Sequence, residues 1–178
     1  MENTKKRYSQ PAFLLAQIGA HAATKFGERL SVLNLTPPDA GILRLLGGSG
    51  GMSQQELSTK LKIHPSRLVA ILDEMETRGL VERKQNAEDR RQHALFLTNQ
   101  GRESLGEIGR IARDHQDALC AALSSDEREK LAEFLQRIAD EQGLTPGVHP
   151  GYSRMQSGQK LNKRRAKSVF LDSKPEPR

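Results

Sequence analysis

The sequence predicts a mostly α-helical domain with one small β-hairpin, an α+β arrangement. Apolar residues recur at helical spacing through most of residues 10–141, and two short strand-like runs interrupt that period once. Capping residues and glycines mark the ends of most of the helices that the period predicts. A chain of 178 residues is long enough for one such domain and a tail.

The composition excludes several classes of protein. The single cysteine rules out a disulfide framework and a cysteine-rich zinc site. No apolar run approaches the ~18 residues of a transmembrane helix, and the N-terminus lacks the apolar stretch of a signal peptide. We therefore expect a soluble, cytoplasmic protein that uses no metal, no cofactor and no membrane.

The basic charge is confined to the C-terminal end of the chain. The net charge is +6, and residues 142–178 carry eight cationic and two acidic side chains, which account for all of it. The remaining residues hold 20 charges of each sign. A nucleic-acid surface on the body must therefore come from the local placement of charges and not from overall basicity.

Two helices are predicted first. One spans residues 10–35, where no proline interrupts the helical period after Pro11. The second begins at Thr36, a capping residue followed by Pro37, and ends at the glycines of a flexible connector over residues 48–52.

A short helix and a longer one follow the connector. Ser53 and Glu56 have the spacing of a capping box, which starts the short helix. A turn over residues 62–64 then places Pro65 at the first position of the longer helix, and Gly79 ends it.

The period next changes from helical to strand-like. Residues 80–84 and 93–97 are predicted to form two short strands, and the polar, charged residues 85–92 between them form a loop. These elements make a hairpin.

Helical spacing returns after the hairpin. One helix is predicted from residue 98 through residue 122, and a second capping box, Ser124 with Glu127, starts the last helix. Residues 143–178 are rich in Pro, Gly, Ser, Lys and Arg, and we expect them to form a disordered basic tail.

This order of elements predicts a winged helix-turn-helix, in which the hairpin is the wing. Apolar residues on both helices of the motif are expected to fix their angle: Leu57, Leu61, Ile63, Leu68, Val69 and Leu72. The second helix would then project the N-terminal part of its other face: Pro65, Ser66, Arg67, Ala70 and Ile71. A helix of that width fits the major groove of B-DNA, where an arginine can pair with guanine.

The charges around this surface are ordered. The hairpin loop carries Asp89, Arg90 and Arg91, and an arginine on a narrow hairpin can enter the minor groove. An acidic residue beside it is expected to hold the arginine in position. Three acids, Asp73, Glu74 and Glu76, fall in the later part of the second helix, so its N-terminal part is the one expected to face DNA.

The sequence resembles the MarR family of bacterial transcriptional regulators over residues 36–105. The motifs that carry the resemblance are LDEMETRGLVER, the DRR of the hairpin loop, and a closing Leu97-Thr98 with Gly101. Together, in this order and spacing, they are specific, whereas a lone DRR would not be.

The resemblance implies a homodimer that binds a pseudo-palindromic operator, most often as a repressor released by a small phenolic or aromatic acid. It divides the chain into an N-terminal dimerisation helix over residues 1–35, a DNA-binding domain over 36–98 and C-terminal dimerisation helices over 99–142, followed by the tail. It also implies that Asp89 supports the wing and Arg91 reaches the minor groove. Such a protein would associate with the nucleoid when bound to its operator.

The residues predicted to contact or support contact with double-stranded DNA come from both helices and the wing. They are Ser53, Gln54, His64, Pro65, Ser66, Arg67, Ala70, Arg83, Lys84, Asp89, Arg90 and Arg91. His64 could instead only cap the helix that follows it.

Four other residues have both a functional and a structural interpretation. His21 and Lys25 lie one helical turn apart and could bind a carboxylate ligand, although a histidine on a dimer face and a solvated lysine explain them as well. His115 fits a packed interface residue better than a metal ligand. Cys120 lies in an apolar stretch without a flanking cation, which favours a buried thiol over a redox sensor.

Three alternatives to a repressor remain open from the sequence. An enzyme is disfavoured, because the chain lacks G-x-S-x-G, H-E-x-x-H and a phosphate-binding glycine loop. A winged helix can also bind a protein partner, and an activator can use the same DNA-binding mode.

The tail could add phosphate contacts, bind a protein through the apolar residues 169–171, or have no effect.

Overall fold

The computed structural model describes residues 10–85 and 93–149. Its elements in chain order are α1 (Pro11–Ser31), α2 (Pro37–Gly47), β1 (Met52–Ser53), α3 (Gln54–Leu61), α4 (Pro65–Thr77), β2 (Val81–Gln85), β3 (His93–Leu97), α5 (Asn99–Leu119) and α6 (Ser125–Glu141). The predicted mostly helical winged helix-turn-helix is confirmed.

The sheet has one strand more than the sequence predicts. β3 lies in the middle of a three-stranded antiparallel sheet and pairs with both β2 and β1. The prediction of a flexible connector through Met52 is wrong at its end, where Met52 pairs with Leu95. A strand of two residues is too short to show an alternating pattern, so no periodicity could reveal it.

The capping boxes predicted at Ser53 and Ser124 are confirmed, and Thr36, predicted only as a capping residue, also starts its helix with a capping box. The Thr36, Ser53 and Ser124 side chains each accept a hydrogen bond from the backbone N–H three residues later, and the acidic side chain at that position accepts one in return. These bonds hold the pKa of Glu56 and of Glu127 below the usual range of a glutamate, because they stabilise the carboxylate form.

One hydrophobic core joins the helix-turn-helix to the ends of the long helices. Leu30 of α1 and Leu43 of α2 are completely buried with Leu57 of α3 and Leu72 of α4, and Leu95 of the central strand closes the core. α5 packs along both α1 and α2. The helix-turn-helix therefore shares one core with α1, α2 and α5.

Two helices end earlier than predicted. α1 ends at Ser31 and not at Leu35, because Asn34 has a left-handed backbone conformation that a helix cannot continue through. α5 ends at Leu119, with Cys120 as its C-cap residue, whereas the apolar period continues to Ala122. Apolar spacing does not distinguish a helix from a buried or half-buried turn that follows it.

The structure also differs from the prediction at the start of the tail. Residues 143–149 turn back after α6, and Val148 packs against the hydrophobic core. The prediction of a disordered basic tail otherwise falls on residues 150–178, which lie outside the described part of the chain.

Among the residues that the structure describes, none of the helices combines the length and the apolar character that crossing a bilayer requires.

Candidate nucleic-acid interface

The angle between α3 and α4 is fixed by apolar packing and by the turn that joins them. Leu57 and Leu61 of α3 are buried against Leu68 and Leu72 of α4. In the turn, the buried Ser58 hydroxyl donates a 2.8 Å hydrogen bond to the carbonyl oxygen of Ile63. Side chains on the outer face of α4 are consequently presented by a rigid support.

The N-terminal part of α4 is exposed on that outer face. Pro65, Ser66 and Ala70 are exposed, and Arg67 is half-buried. His64 occupies the N-cap position, but its ring bonds the Ser66 hydroxyl, with 2.9 Å between Nδ1 and Oγ, and no side-chain cap bond to the backbone forms. The site thus brings together five of the predicted DNA-facing residues.

Ile71 does not belong to this exposed face. It was expected on or near it, but its side chain is only 6% exposed and belongs to the core. Ile71 follows Leu68 by three residues, so the two side chains share one face of the helix. The exposed stripe of α4 is therefore narrower than the sequence suggests.

Ser53 and Gln54 lie at the start of α3. The Ser53 hydroxyl accepts from the Glu56 N–H at 3.2 Å and donates to Glu56 Oε2 at 2.8 Å, so its one donor proton is already used within the helix cap. Gln54 is half-buried. Their contact with DNA stays a prediction.

Arg83 joins the wing to α4. It lies on β2, and its guanidinium is ion-paired with Glu76 and, at 2.6 Å, with Asp73. Both carboxylates belong to the later half of α4. Arg83 was predicted as a DNA contact; the structure places its guanidinium against acids of its own chain, and a direct contact with DNA stays a prediction.

A second arginine fixes the end of α4 on the opposite side. Arg78 follows the helix, and its Nη1 lies 3.4 Å from the buried Asp39 carboxylate while its Nη2 donates to the carbonyl oxygen of Asn34 at 2.5 Å. This pair was not predicted from the sequence. The partners are 39 positions apart, and local spacing carries no signal for such a contact.

Three lysines of the helix-turn-helix and the wing are exposed. Lys60 and Lys62 are exposed close to the N-terminus of α4. Lys84 is paired with Glu82, with 2.7 Å between Nζ and Oε1, and lies 5.8 Å from the centre of the Phe96 ring. The sequence next to the exposed N-terminal end of α4 thus carries Lys60, Lys62 and Arg67, and the acids lie in the later half of the helix.

The tip of the wing falls on residues 86–92, outside the described part of the chain. Asp89, Arg90 and Arg91 are all within it, and their predicted roles stay predictions.

A cavity of about 410 Å³ lies between the long helices and the start of α2. Its walls are mainly apolar, and two imidazoles add the polar groups; the lining residues are Gly19, Ala22, Ala23, Phe26, Pro37, Ala112, His115 and His149. The His115 and Phe26 rings pack with their centres 5.5 Å apart. Partial burial lowers the pKa of His115, and the positive charge of Arg29 and of His21 lowers it further.

The predicted ligand pair does not line this cavity. His21 is exposed, and Lys25 Nζ lies 2.7 Å from Glu28 Oε2 in a surface ion pair. The cavity instead uses Gly19, Ala22 and Ala23 of the same helix. The small size of these residues, at helical spacing, is the one sequence signal that could have indicated the cavity wall.

Cys120 is partly buried at the end of α5. Its carbonyl oxygen accepts a 3.1 Å hydrogen bond from Arg128 Nε, which ties the end of α5 to α6.

A helix-turn-helix with an exposed recognition-helix N-terminus and an adjoining hairpin defines a winged-helix DNA-binding protein. The family model of the MarR family matches residues 33–92. The transcriptional repressor CouR, solved on a 23-mer DNA duplex, is 32% identical, with a TM-score of 0.66 over 75% of this chain and 95% of that one.

Two further comparisons agree. The HTH-type transcriptional regulator FarR of Neisseria gonorrhoeae is 29% identical over 76% of this chain and 93% of the relative. A Mycobacterium tuberculosis MarR family protein solved with DNA is 25% identical, with a TM-score of 0.64 over 73% of this chain and 98% of that one. The chain belongs to the MarR family. It is a DNA-binding transcriptional regulator and not an enzyme.

We predict that Arg83→Gln weakens DNA binding on the order of tenfold, equivalent to about 1.4 kcal/mol, while the protein stays folded. The reason is that Arg83 fixes the wing to α4 through Asp73 and Glu76. Fluorescence anisotropy on a labelled duplex measures the affinity, and Arg110→Gln, which removes another ion-paired surface arginine, is the matched control.

The double variant Asp73→Asn with Glu76→Gln separates this role from a direct phosphate contact. It removes two negative charges, which on electrostatic grounds alone should strengthen DNA binding. If the fixed wing matters, affinity nevertheless falls. A rise in affinity would contradict a role for the fixed wing in DNA binding.

Proposed function

We propose that the protein is a homodimeric repressor that binds a pseudo-palindromic operator and is released by a small aromatic acid. The observation that carries the DNA-binding part is the exposed N-terminal part of α4 on a buried, rigid support, with cations at that end and acids at the other. In B-DNA the major groove is about 12 Å wide and accepts one such helix.

The proposed direct contacts come from α4 and the wing tip. Ser66, held by His64, and Arg67 read or anchor the major groove, and Ala70 lets the helix approach closely. Arg90 and Arg91 reach the flanking minor groove, supported by Asp89. Arg83 acts by fixing the wing, while Lys62 and Lys84 supply phosphate contacts.

Dimerisation is proposed from the exposed apolar surface at both ends of the fold. α6 has no buried residue, and it exposes Leu131, Phe134, Leu135 and Ile138 at helical spacing. The start of α1 exposes Phe13, Leu14, Leu15 and Ile18. Apolar stripes of this kind mark protein interfaces, and a second copy of the chain would cover them.

The names of two relatives support repression, and the cavity supports release by a small ligand. CouR and a Mycobacterium tuberculosis relative both carry the name of transcriptional repressors. The cavity lies between α1, α2 and α5, so a ligand there would contact both the long helices and the helix that enters the DNA-binding unit. A flat apolar ligand with an acidic group fits walls that combine Phe26 with two imidazoles. The protein would act in the cytoplasm, on the nucleoid.

An activator would use the same contacts, and the position of the operator relative to a promoter distinguishes the two. A winged-helix module for a protein partner would bind DNA without sequence preference at physiological salt.

Arg67→Ala is expected to lower affinity for the operator by about 10- to 100-fold, the usual effect of losing a bidentate arginine–guanine contact. Binding to a random duplex should fall much less. The ratio of the two affinities is measured by anisotropy at a fixed salt concentration, with Arg110→Ala as the control. An unchanged ratio of the two affinities would show that Arg67 does not contribute to sequence recognition.

Phe134→Asp is expected to dissociate the dimer, because it places a charge in the centre of the proposed α6 interface. Sedimentation velocity should show a species near the chain mass of 19.8 kDa in place of one twice as heavy. Gln136→Asp, on the opposite side of the same helix, is the control and should stay dimeric. A dimeric Phe134→Asp protein would contradict an α6 interface.

A further inference from the structure

The segment after α6 is built to turn back and dock. Gly143 has a left-handed backbone, with φ at 61°, and two hydrogen bonds close the end of α6: Gly143 N–H to Asp140 O and Leu144 N–H to Ala139 O, both 3.0 Å. This is the Schellman arrangement, which ends a helix sharply.

A second turn follows at once. The Val148 N–H donates to the Thr145 carbonyl oxygen at 3.2 Å, and the two residues between them are Pro146 and Gly147, with φ of 72° at the glycine. Proline followed by a glycine of positive φ is the sequence that a type II turn requires. Both reversals are therefore encoded locally.

The second turn is held against the DNA-binding unit. The carbonyl oxygen of Gly147 accepts a hydrogen bond from the Arg44 guanidinium of α2. Val148 packs against the core, and His149 lines the cavity opposite helices α1 and α5. A side chain at Gly147 would displace the Arg44 guanidinium, and the φ of 72° would strain any residue other than glycine.

We propose that residues 143–149 form a strap that supplies one wall of the open cavity and presents His149 to the ligand that binds there. The strap joins the end of α6 to α2, so it bridges the long C-terminal helix and the DNA-binding unit. The cavity keeps its volume of about 410 Å³ with the strap docked. A ligand can therefore bind beside the docked strap without displacing it, and docking and ligand binding then reinforce each other.

The nature of the ligand rests on the proposed function. If the cavity takes an aromatic acid, the strap positions the His149 imidazole to contact the acidic group together with His115, which belongs to α5. His149 is then a ligand-binding residue, and Arg44 and Gly147 are positioning residues that act through the strap.

Docking is tested without any ligand, on the full-length protein. Diethyl pyrocarbonate modifies accessible imidazoles, and peptide mass spectrometry gives the rate for each histidine. Gly147→Ala and Arg44→Ala should raise the rate at His115 several-fold and leave the exposed His21 and His64 unchanged. Gly106→Ala, at a position with open space around it, and Arg110→Ala are the matched controls. An unchanged rate at His115 in both strap variants would overturn the proposal.

Ligand contact is tested by calorimetry with benzoate and its neutral analogue benzyl alcohol. His149→Ala and Gly147→Ala should each weaken benzoate binding several-fold, and His149→Ala should change benzyl alcohol binding little. If both variants bind benzoate as tightly as the wild-type protein or more tightly, the strap is not part of the ligand site. If the wild-type protein binds neither compound, the proposal of an aromatic-acid effector is wrong. The rates of histidine modification then test the docking of the strap by themselves.

Discussion

The rest of the structure depends on the burial of one face of α4. Leu68, Leu72 and Met75 are completely buried there, and Ile71 nearly so. Complete burial of an aliphatic side chain of this size contributes about 1.5–3 kcal/mol. These contacts fix the helix to α3 and to the sheet, and the opposite face is the one that remains for DNA.

Charge then determines which end of that helix can approach a polyanion. The later half of α4 carries three acids, and arginines of the same chain lie against all three: Arg83 beside Asp73 and Glu76, and Arg78 at 3.9 Å from Glu74. The pairs hold the wing on one side and the start of α2 on the other. Exposed ion pairs contribute little to stability, so their main effect is to set orientation.

Local signals allowed much of this fold to be predicted from the sequence. The three capping boxes and Pro65 act within one helical turn, so their residues can be recognised directly. The buried position of Ile71 could not be predicted as easily, because a helix face has a width that depends on what packs against it. β1 was missed because two residues carry no period, and its pairing depends on a strand more than 40 positions away.

The candidate site likewise contains residues that local signals predict and contacts that form only in the folded chain. Ser66 and Arg67 were predicted from their place at the start of a helix, and they lie where that reasoning put them. The Arg83 and Arg78 contacts join residues that meet only after the hairpin and α2 have packed. The cavity needs three helices and the strap together, and no single segment of the sequence contains it.

The central claim is that two copies of α4, held by the dimer, read one inverted site. Selection from random duplex DNA with the full-length protein tests it most directly. The account predicts an enriched inverted repeat whose half-sites are centred about one helical turn apart, roughly 10 base pairs. Recovery of a single unrepeated half-site, or of no motif at physiological salt, would contradict it.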